Sequence, residues 1–497
     1  MSAVQGQGPH EERERAREHP GDAHPEGHGQ PDRDLRVLAE QGVLHFMGAG
    51  GAGMCALAEA VVRGGGSVTA CDRSPGRATR MLEALGVTVH PGHDPAHVEE
   101  AAALVVTAAI PTDHPEIARA RERGIPVVKR AEALGSWTRA GRLAAVAGTH
   151  GKTTTTAILV EMLAASGHDP TGLVGGEVAR WKSHLRPGRD DLFVVEADEY
   201  DRSFHYLHPD VTVVTNMEAD HLDIYGSVEG IRDAFARYLE NVVPEGRIWA
   251  CADDPGSASL LVEAGARGRS YGFSAGSQLR GEGLETRGFG TRLKVVEDGH
   301  RVAELQVPLP GLHNARNALG AAAAARSMGA GWNAIARGLQ AFAGVRRRFQ
   351  LLGKVGGIHV VDDYAHHPTE VKAALEAARR SFPEARIVAV FQPHLYSRTR
   401  DFAPAFGEAL SRADRVWVTD IYPAREAPLP GVDAGLVVQA ARAGSGGGEV
   451  QEHGPLETLP EAVARELAPG DVCLTLGAGS IEEAGPRILQ FLEARHG

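Results

Sequence analysis

The chain has 497 residues, 43% of them apolar, and a formal net charge of −12. That length suits about three domains of roughly 150 residues, and an acidic balance without a long basic run argues against a nucleic-acid polymer as partner. The cysteines Cys55, Cys71, Cys251 and Cys473 form no CxxC pair, so neither a zinc site nor a disulfide framework is indicated; no apolar run approaches the roughly 20 residues of a membrane span.

Residues 1–35 are rich in Gly, Pro, His, Glu and Arg and carry almost no large apolar side chains. Such a segment cannot bury enough surface to order itself, which predicts a disordered tail. Its histidines (His10, His19, His24, His28) lack regular spacing and partner ligands, so they do not indicate a metal site. No apolar signal-peptide core is present, and the cytoplasm is the expected location.

From Val43 the pattern becomes strand–helix alternation. VLHFM (43–47), SVTACD (67–72), LVVTAA (104–109) and PVVK (126–129) read as strands of a first α/β domain, spanning 36–142. HPGHDPAH at 90–97 brings three histidines together, but neither an acid cluster nor a strand end supports them, and it reads as a surface loop. A second domain (143–343) has strands at LAAVAG (143–148), LFVVEA (192–197) and VTVVTN (211–216), with a helix over about 153–165. TRLKVVE (291–297) and RVAELQV (301–307) flank Asp298-Gly299 and read as a hairpin beside the parallel sheet. Helices over about 313–328 and 332–342 close this domain. A third (344–497) has strands at IHVVDD (358–363), RIVAVF (386–391), RVWVTD (415–420) and DVCLTL (471–476), and a Gly-rich loop at 443–449. Three consecutive α/β domains are expected.

Two glycine clusters point to phosphate. GTHGKTTTT (148–156) follows a strand and opens a helix, where backbone N–H groups and the helix dipole favour an anion. Lys152 would reach the β- and γ-phosphates and Thr153 would place its hydroxyl on Mg²⁺. Val146 stands where the full P-loop pattern has glycine, so the motif is partly met; the bland alternative is a Gly-Lys turn at a helix start. In GAGGAGM (48–54), Gly48, Gly50 and Gly53 match GxGxxG, and Asp72 follows Gly50 by 22 residues at a strand end. This arrangement suits any nucleotide diphosphate and leaves a NAD-dependent oxidoreductase as an alternative of another class.

EADEYD (196–201) crowds four acids into six residues at a strand end, costly unless a cation or solvent relieves it; the alternative is a solvated acidic loop. In NMEADHLDIYG (216–226), His221 sits between Asp220 and Asp223 as a metal ligand or a capping residue.

GTHGKTTTT, EADEYD, NMEADHLDIYG, GLHNARN (311–317), RRRF (346–349), DDYAHHPTE (362–370) and FQPHLYSRTRDF (391–402), with GAGGAGM, occur in the order seen in muramyl ligases. The chain resembles that family from residue 43 to about 480, and most of all its branch that joins L-alanine to UDP-N-acetylmuramate. A neighbouring branch attaches a whole murein peptide in recycling; it differs where this chain reads EADHLDIY and FQPHLYSRT. The resemblance accounts for the truncated GTHGKT loop. Thr107 and Ala108, Tyr200 and Leu395 depart from residues common in the family.

The resemblance implies a Rossmann-like first domain, a P-loop-type central domain binding ATP, and a Rossmann-like third domain. UDP-N-acetylmuramate would lie on Gly48, Gly50, Gly51, Gly53 and Asp72. ATP would lie on Gly148, Thr149, His150, Gly151, Lys152, Thr153 and Thr154, with Asn314 and Asn317 at the adenine, Arg348 at the phosphates and Asp363 at the ribose. Thr153 and Glu196 would hold one Mg²⁺ and His221 a second. Tyr364, His366, His394 and Arg398 would line the pocket for L-alanine. Lys152, His221, His366, His394 and Arg398 are the candidate catalytic residues, with His366 or His394 as the base for the amine.

Overall fold

The computed structural model describes residues 33–424, 426–444 and 448–496. The tail expected over 1–35 falls outside these residues up to position 32, as do its four histidines. Its last residues depart from the expectation. A helix, Leu35–Gln41, begins there because the Asp34 carboxylate accepts from the N–H groups of Arg36 (2.9 Å) and Val37 (3.4 Å), and Leu35 and Leu38 are buried.

The first domain holds strands β1 (Val43–Met47), β2 (Val68–Asp72), β3 (Thr88–Pro91), β4 (Ala101–Val106) and β5 (Val127–Lys129). They pair in parallel in the order β3-β2-β1-β4-β5, so the chain reverses direction of travel next to β1. In an open parallel sheet that switch point opens a crevice at the carboxyl ends of the strands. GAGGAGM lies there, between β1 and the helix Ala52–Arg63.

The second domain contributes β6 (Arg142–Ala147), β7 (Pro170–Val178), β8 (Ser183–Arg186), β9 (Arg189–Glu196), β10 (Val211–Val214), β11 (Arg247–Cys251), β12 (Gly268–Gly272), β13 (Leu279–Arg287), β14 (Gly290–Glu297) and β15 (His300–Val307). All ten form one sheet, β15-β14-β13-β12-β11-β10-β6-β9-β7-β8. The hairpin expected at 291–307 is β14–β15, antiparallel, and β13 carries it into the parallel sheet by pairing with β12. Helices Lys152–Ala165, Leu312–Ser327 and Trp332–Ala341 cover one face, and their alanines and leucines form a continuous core with Val146, Val194 and Val213.

The third domain contains β16 (Gln350–Val355), β17 (Ile358–Asp363), β18 (Ile387–Phe391), β19 (Arg415–Val418), β20 (Glu449–Glu452) and β21 (Val472–Leu476), ordered β16-β17-β21-β18-β19-β20. The last strand enters between β17 and β18, parallel to both, and β16 caps the edge antiparallel. The Gly-rich stretch begins with the end of the helix Gly435–Gly444, and residues 445–447 lie outside the described residues.

HPGHDPAH is not a surface loop. It folds back as a short 3₁₀ turn (Pro95–Val98) over the first sheet, where His93 and His97 meet the fully buried Glu116. The acid was invisible from the loop itself because it comes from a different segment, the helix Pro115–Glu122.

The domains are tied by polar contacts. Arg77 of the first grips Glu177 of the second with two N–H groups at 2.6 and 2.7 Å, and Arg346, at the entry to the third, lies 3.9 Å from the same carboxylate. Burial alone would raise the Glu177 carboxyl, but Arg77 and Arg346 outweigh it and hold it below the ordinary glutamate range. A depressed folded-state value contributes stability at pH above the unfolded carboxyl value, lost as pH falls through the folded one. Glu177→Gln should therefore lower urea stability at pH 7 by about 1 kcal/mol, modest because Arg77 is half exposed. The gap from wild type should close as the solution is acidified; a gap unchanged at low pH would show that the charge contributes nothing.

Candidate active site

Both glycine loops are shaped by contacts that admit no side chain. Gly148 leaves β6 with φ +130°, and a Cβ there would lie 2.1 Å from Thr215 Oγ1 and 3.0 Å from the backbone of Asn216. Gly151 starts the helix Lys152–Ala165 with φ +84°, its α-carbon against Asn317. Asn314 and Asn317, one turn apart on the helix Leu312–Ser327, are both buried; Asn314 donates to the Pro310 carbonyl at 2.8 Å. In the first domain Gly48 has φ +83°, and the Asp72 carboxylate accepts from the N–H groups of Gly50 (2.7 Å) and Ser74 (2.8 Å). Asp72 thus braces the loop that Gly51 carries into its helix. Gly53 faces the Arg130 guanidinium, a residue that no motif marked.

Lys152 does not extend into solvent. Its Nζ donates to the carbonyls of Gly148 (2.6 Å) and Thr149 (3.1 Å) and to both Glu199 oxygens (2.9 and 2.7 Å). Burial disfavours its charge, but Glu199, Asp198 and Glu196 outweigh that and raise it above the ordinary lysine value. The acids remain short of positive charge: burial, with Asp198 alongside, pushes Glu199 up to about 7 against the pull of Lys152. Burial also raises Glu196, although it accepts from Gly175 N–H at 2.5 Å and from the Thr153 hydroxyl. Thr153 and Glu196 are therefore in contact. His221 lies elsewhere in the cluster, with Nε2 at 4.0 Å from Glu199 and 3.8 Å from Asp220, in a left-handed backbone conformation (φ +53°).

The third domain closes on this cluster. Arg398, nearly buried, donates to Asp220 at 2.9 Å, and its guanidinium holds that carboxyl well below the usual range against the opposing effect of burial. Thr369 donates to Glu218 at 2.6 Å. His150 of the phosphate loop meets Glu370 at 3.2 Å, and Glu370 also approaches His366 (3.3 Å) and Arg348 (3.7 Å). His366 packs edge-on to Tyr364 and to His394, ring centroids 5.1 and 5.6 Å apart. Burial pushes His366 down to about 4, so its ring is neutral at physiological pH. Tyr364 lies beneath the guanidinium groups of Arg347 and Arg348. Asp363 accepts from the N–H groups of Phe349 (2.7 Å) and Ala365 (2.8 Å), so it also braces the RRRF turn, and burial raises it to about 6. Arg400 pairs with its neighbour Asp401 at the surface and takes no part in the cluster.

A continuous polar path thus runs from Gly53 through Arg130 to Asp198 (3.6 Å), Glu199 and Lys152, then His221, Asp220 and Arg398. It joins a diphosphate-type loop, a phosphate loop and a histidine–arginine pocket, each from a different domain. Arg130 lies in no motif; Glu199, Glu218, Thr369 and Glu370 lie inside EADEYD, NMEADHLDIYG and DDYAHHPTE, but those motifs do not separate them from their neighbours.

Family comparisons cover the same three bodies. The Mur ligase family catalytic domain matches residues 43–142, the Mur ligase middle domain 146–325 and the Mur ligase glutamate ligase domain 347–479. The chain belongs to the Mur ligase family. UDP-N-acetylmuramate–L-alanine ligase of Rubrobacter xylanophilus is 46% identical over 450 residues, covering 90% of this chain and all of the relative. That of Salinibacter ruber is 42% identical over 90% of this chain and 95% of the relative. The crystal structure of UDP-N-acetylmuramate-alanine ligase from Thermotoga maritima superposes with a TM-score of 0.78 at 28% identity, over 91% of this chain and 99% of that one. A murein peptide ligase from Psychrobacter arcticus gives 0.66 at 25% identity, over 90% and 98%. Among the described residues, no helix is long and apolar enough to cross a membrane.

Gly148 tests the phosphate loop. Gly148→Ala forces a Cβ onto Thr215 and a strained φ, which costs about 1–3 kcal/mol. Nucleotide affinity, read by calorimetric titration with ATP, should fall at least about tenfold; unchanged affinity would mean that the loop does not hold the phosphates.

Proposed function

We propose that the chain is an ATP-dependent ligase that joins the amine of L-alanine to the lactyl carboxylate of UDP-N-acetylmuramate. The observation that carries this reading is the end-to-end likeness to L-alanine-adding ligases across all three domains, with both glycine loops formed. With boundaries near 142/143 and 343/344, the first domain takes the UDP portion on Gly48–Gly53, the second takes ATP on Gly148–Thr154, and the third takes the amino acid. The reaction belongs in the cytoplasm, where ATP is available.

A carboxylate is a poor acyl donor, so it first attacks the γ-phosphoryl group of ATP, forming an acyl phosphate and releasing ADP. The chain's part is positioning and charge. As ATP enters, its phosphates replace Glu199 as the partner of Lys152, whose ammonium already sits at the helix start where the N–H groups converge. Arg348 approaches from the third domain. The neutral amine then attacks the acyl carbon, the C–O bond to phosphate breaks, and the leaving phosphate takes the amine's proton. His366, neutral at physiological pH, accepts a hydrogen bond from the amine; a base pushed down to about 4 acts more by orientation than by proton removal. Burial of the cluster keeps water from the acyl phosphate.

The residues present fit magnesium. Thr153 and Glu196 are in contact, and burial that raises Glu196 is the strain a divalent ion relieves. His221, beside Glu199 and Asp220, fits a second ion and not the first. Magnesium supplies charge neutralisation on the transferring phosphoryl group. Glu196→Ala should lower Mg²⁺-dependent turnover by orders of magnitude with the fold intact by circular dichroism; near wild-type turnover at low Mg²⁺ would leave Glu196 a loop acid only.

Arg398 is proposed for the carboxylate of L-alanine, which a planar guanidinium grips with two N–H groups. Arg398→Lys should raise the KM for L-alanine about tenfold, equivalent to about 1.4 kcal/mol, while those for ATP and UDP-N-acetylmuramate move much less. An equal rise in all three would instead assign Arg398 to holding the third domain against Asp220. The reaction itself is tested by phosphate release from ATP and Mg²⁺ with UDP-N-acetylmuramate and L-alanine, glycine, L-serine or a murein peptide in turn. L-Alanine should be turned over fastest. Turnover with the peptide alone would move the chain to the recycling branch, and hydride transfer from NADH would overturn the ligase reading.

A further inference from the structure

The first domain contains a second cluster of chemistry-bearing side chains, outside the polar path described above. His45 lies on β1, Cys71 on β2, His97 on the 3₁₀ turn Pro95–Val98, and Glu116 in the first turn of the helix Pro115–Glu122. Each offers one ligand atom, and the four atoms lie within 4.8 Å of one another. His45, Cys71 and Glu116 are fully buried, and the His97 side chain is 13% exposed. We propose that these four residues form a structural zinc site.

The separations suit a tetrahedron. Zinc–ligand bonds of about 2.0–2.3 Å set ligand–ligand edges of roughly 3.3–3.6 Å. Cys71 Sγ lies 3.6 Å from each Glu116 oxygen, and His97 Nδ1 lies 2.9 Å from Glu116 Oε1, an edge that a central ion would open slightly. His45 gives the independent pointer. Its Nδ1 is bonded to Thr69 Oγ1 at 2.9 Å, while its Nε2 is buried with no hydrogen-bond partner among the described residues. A buried ring nitrogen without a partner is costly. A histidine that ligates a metal through one nitrogen is held by a hydrogen bond at the other, a part the Thr69 hydroxyl fills here.

Charge and donor type agree. Glu116 is fully buried, and its ion-pair partners among the described residues are His93 and His97, with no Lys or Arg. The Asp94 N–H bridges Glu116 Oε1 (2.9 Å) and His97 Nδ1 (3.3 Å); with zinc bound it would stay on the carboxylate. His93 Nδ1, 3.3 Å from Cys71 Sγ, caps the thiolate from outside. One divalent ion with one thiolate and one carboxylate is electrically neutral, which removes the cost of burying either anion. The thiol proton leaves to solvent as the ion binds. A mixed nitrogen, sulfur and carboxylate set selects zinc over magnesium or calcium. Cys71 immediately precedes Asp72, and its carbonyl accepts from Gly48 N–H at 2.8 Å, so the ion would pin the strand end on which the first glycine loop rests. The cysteine spacing alone indicated no zinc site, because the ligands come from four separate segments and only one is a cysteine.

The test uses the full-length, untagged chain. Mass-spectrometric metal analysis after dialysis should find one zinc per chain. Replacement by cobalt should give a thiolate-to-cobalt charge-transfer band that Cys71→Ser abolishes and Cys251→Ala leaves intact. His97→Asn should weaken zinc binding at least about tenfold and abolish the rise in melting temperature that zinc produces in the wild type. This variant carries the test if Cys71→Ser does not fold. Absence of zinc together with no cobalt band on titration overturns the proposal. So does zinc bound without a thiolate band, which would place the ion on other histidines, or a band that survives Cys71→Ser.

Discussion

Lys152 carries its ammonium into a recess lined by Glu196, Asp198 and Glu199, and that shortage of positive charge organises the rest of the molecule. Burial leaves Glu196 and Glu199 less stable as anions than they would be in water despite that ammonium, as the upward displacement of both shows. A ligand that brings magnesium and phosphate together supplies what both partners lack: cations for the acids and anions for the ammonium. On the proposed function, this arrangement is preorganised for a metal–nucleotide complex and is held by groups the complex would exchange.

The same constraint explains why three domains are needed. A glycine loop at the carboxyl end of β1 and another at the end of β6 each offer backbone N–H groups, whereas the residues proposed for the amino acid, Tyr364, His366, His394 and Arg398, all lie in the third domain. The third domain brings Arg398 to Asp220, Glu370 to His150 and Thr369 to Glu218, so its histidines reach the cluster only when the domains are apposed. The proposed water-sensitive acyl phosphate would benefit from a site that is complete only in the closed arrangement.

Much of this was readable from sequence where the signal is local. The glycine loops were found because strand, glycines and helix are contiguous, and the β14–β15 hairpin because Asp298-Gly299 sits between alternating strands. Thr153 and Glu196 were paired through family resemblance, and the contact is present. What stayed hidden depends on residues distant in the chain. Arg130 reaches Gly53 and Asp198 from the end of β5, and Glu199 rather than its neighbours takes Lys152. HPGHDPAH was read as a loop because Glu116, its buried partner, lies on a helix beyond β4. β13 is not legible in the sequence because residues 279–287 are mostly polar and glycine-containing, without the apolar run that marks a buried strand.

The central claim is that the lactyl carboxylate is phosphorylated before the amide bond forms. It is tested most directly with UDP-N-acetylmuramate carrying oxygen-18 in that carboxylate, turned over with ATP and L-alanine. An acyl phosphate transfers one carboxylate oxygen to each phosphate released, so mass spectrometry should find one labelled oxygen per phosphate; unlabelled phosphate, with amide formed, would contradict the account.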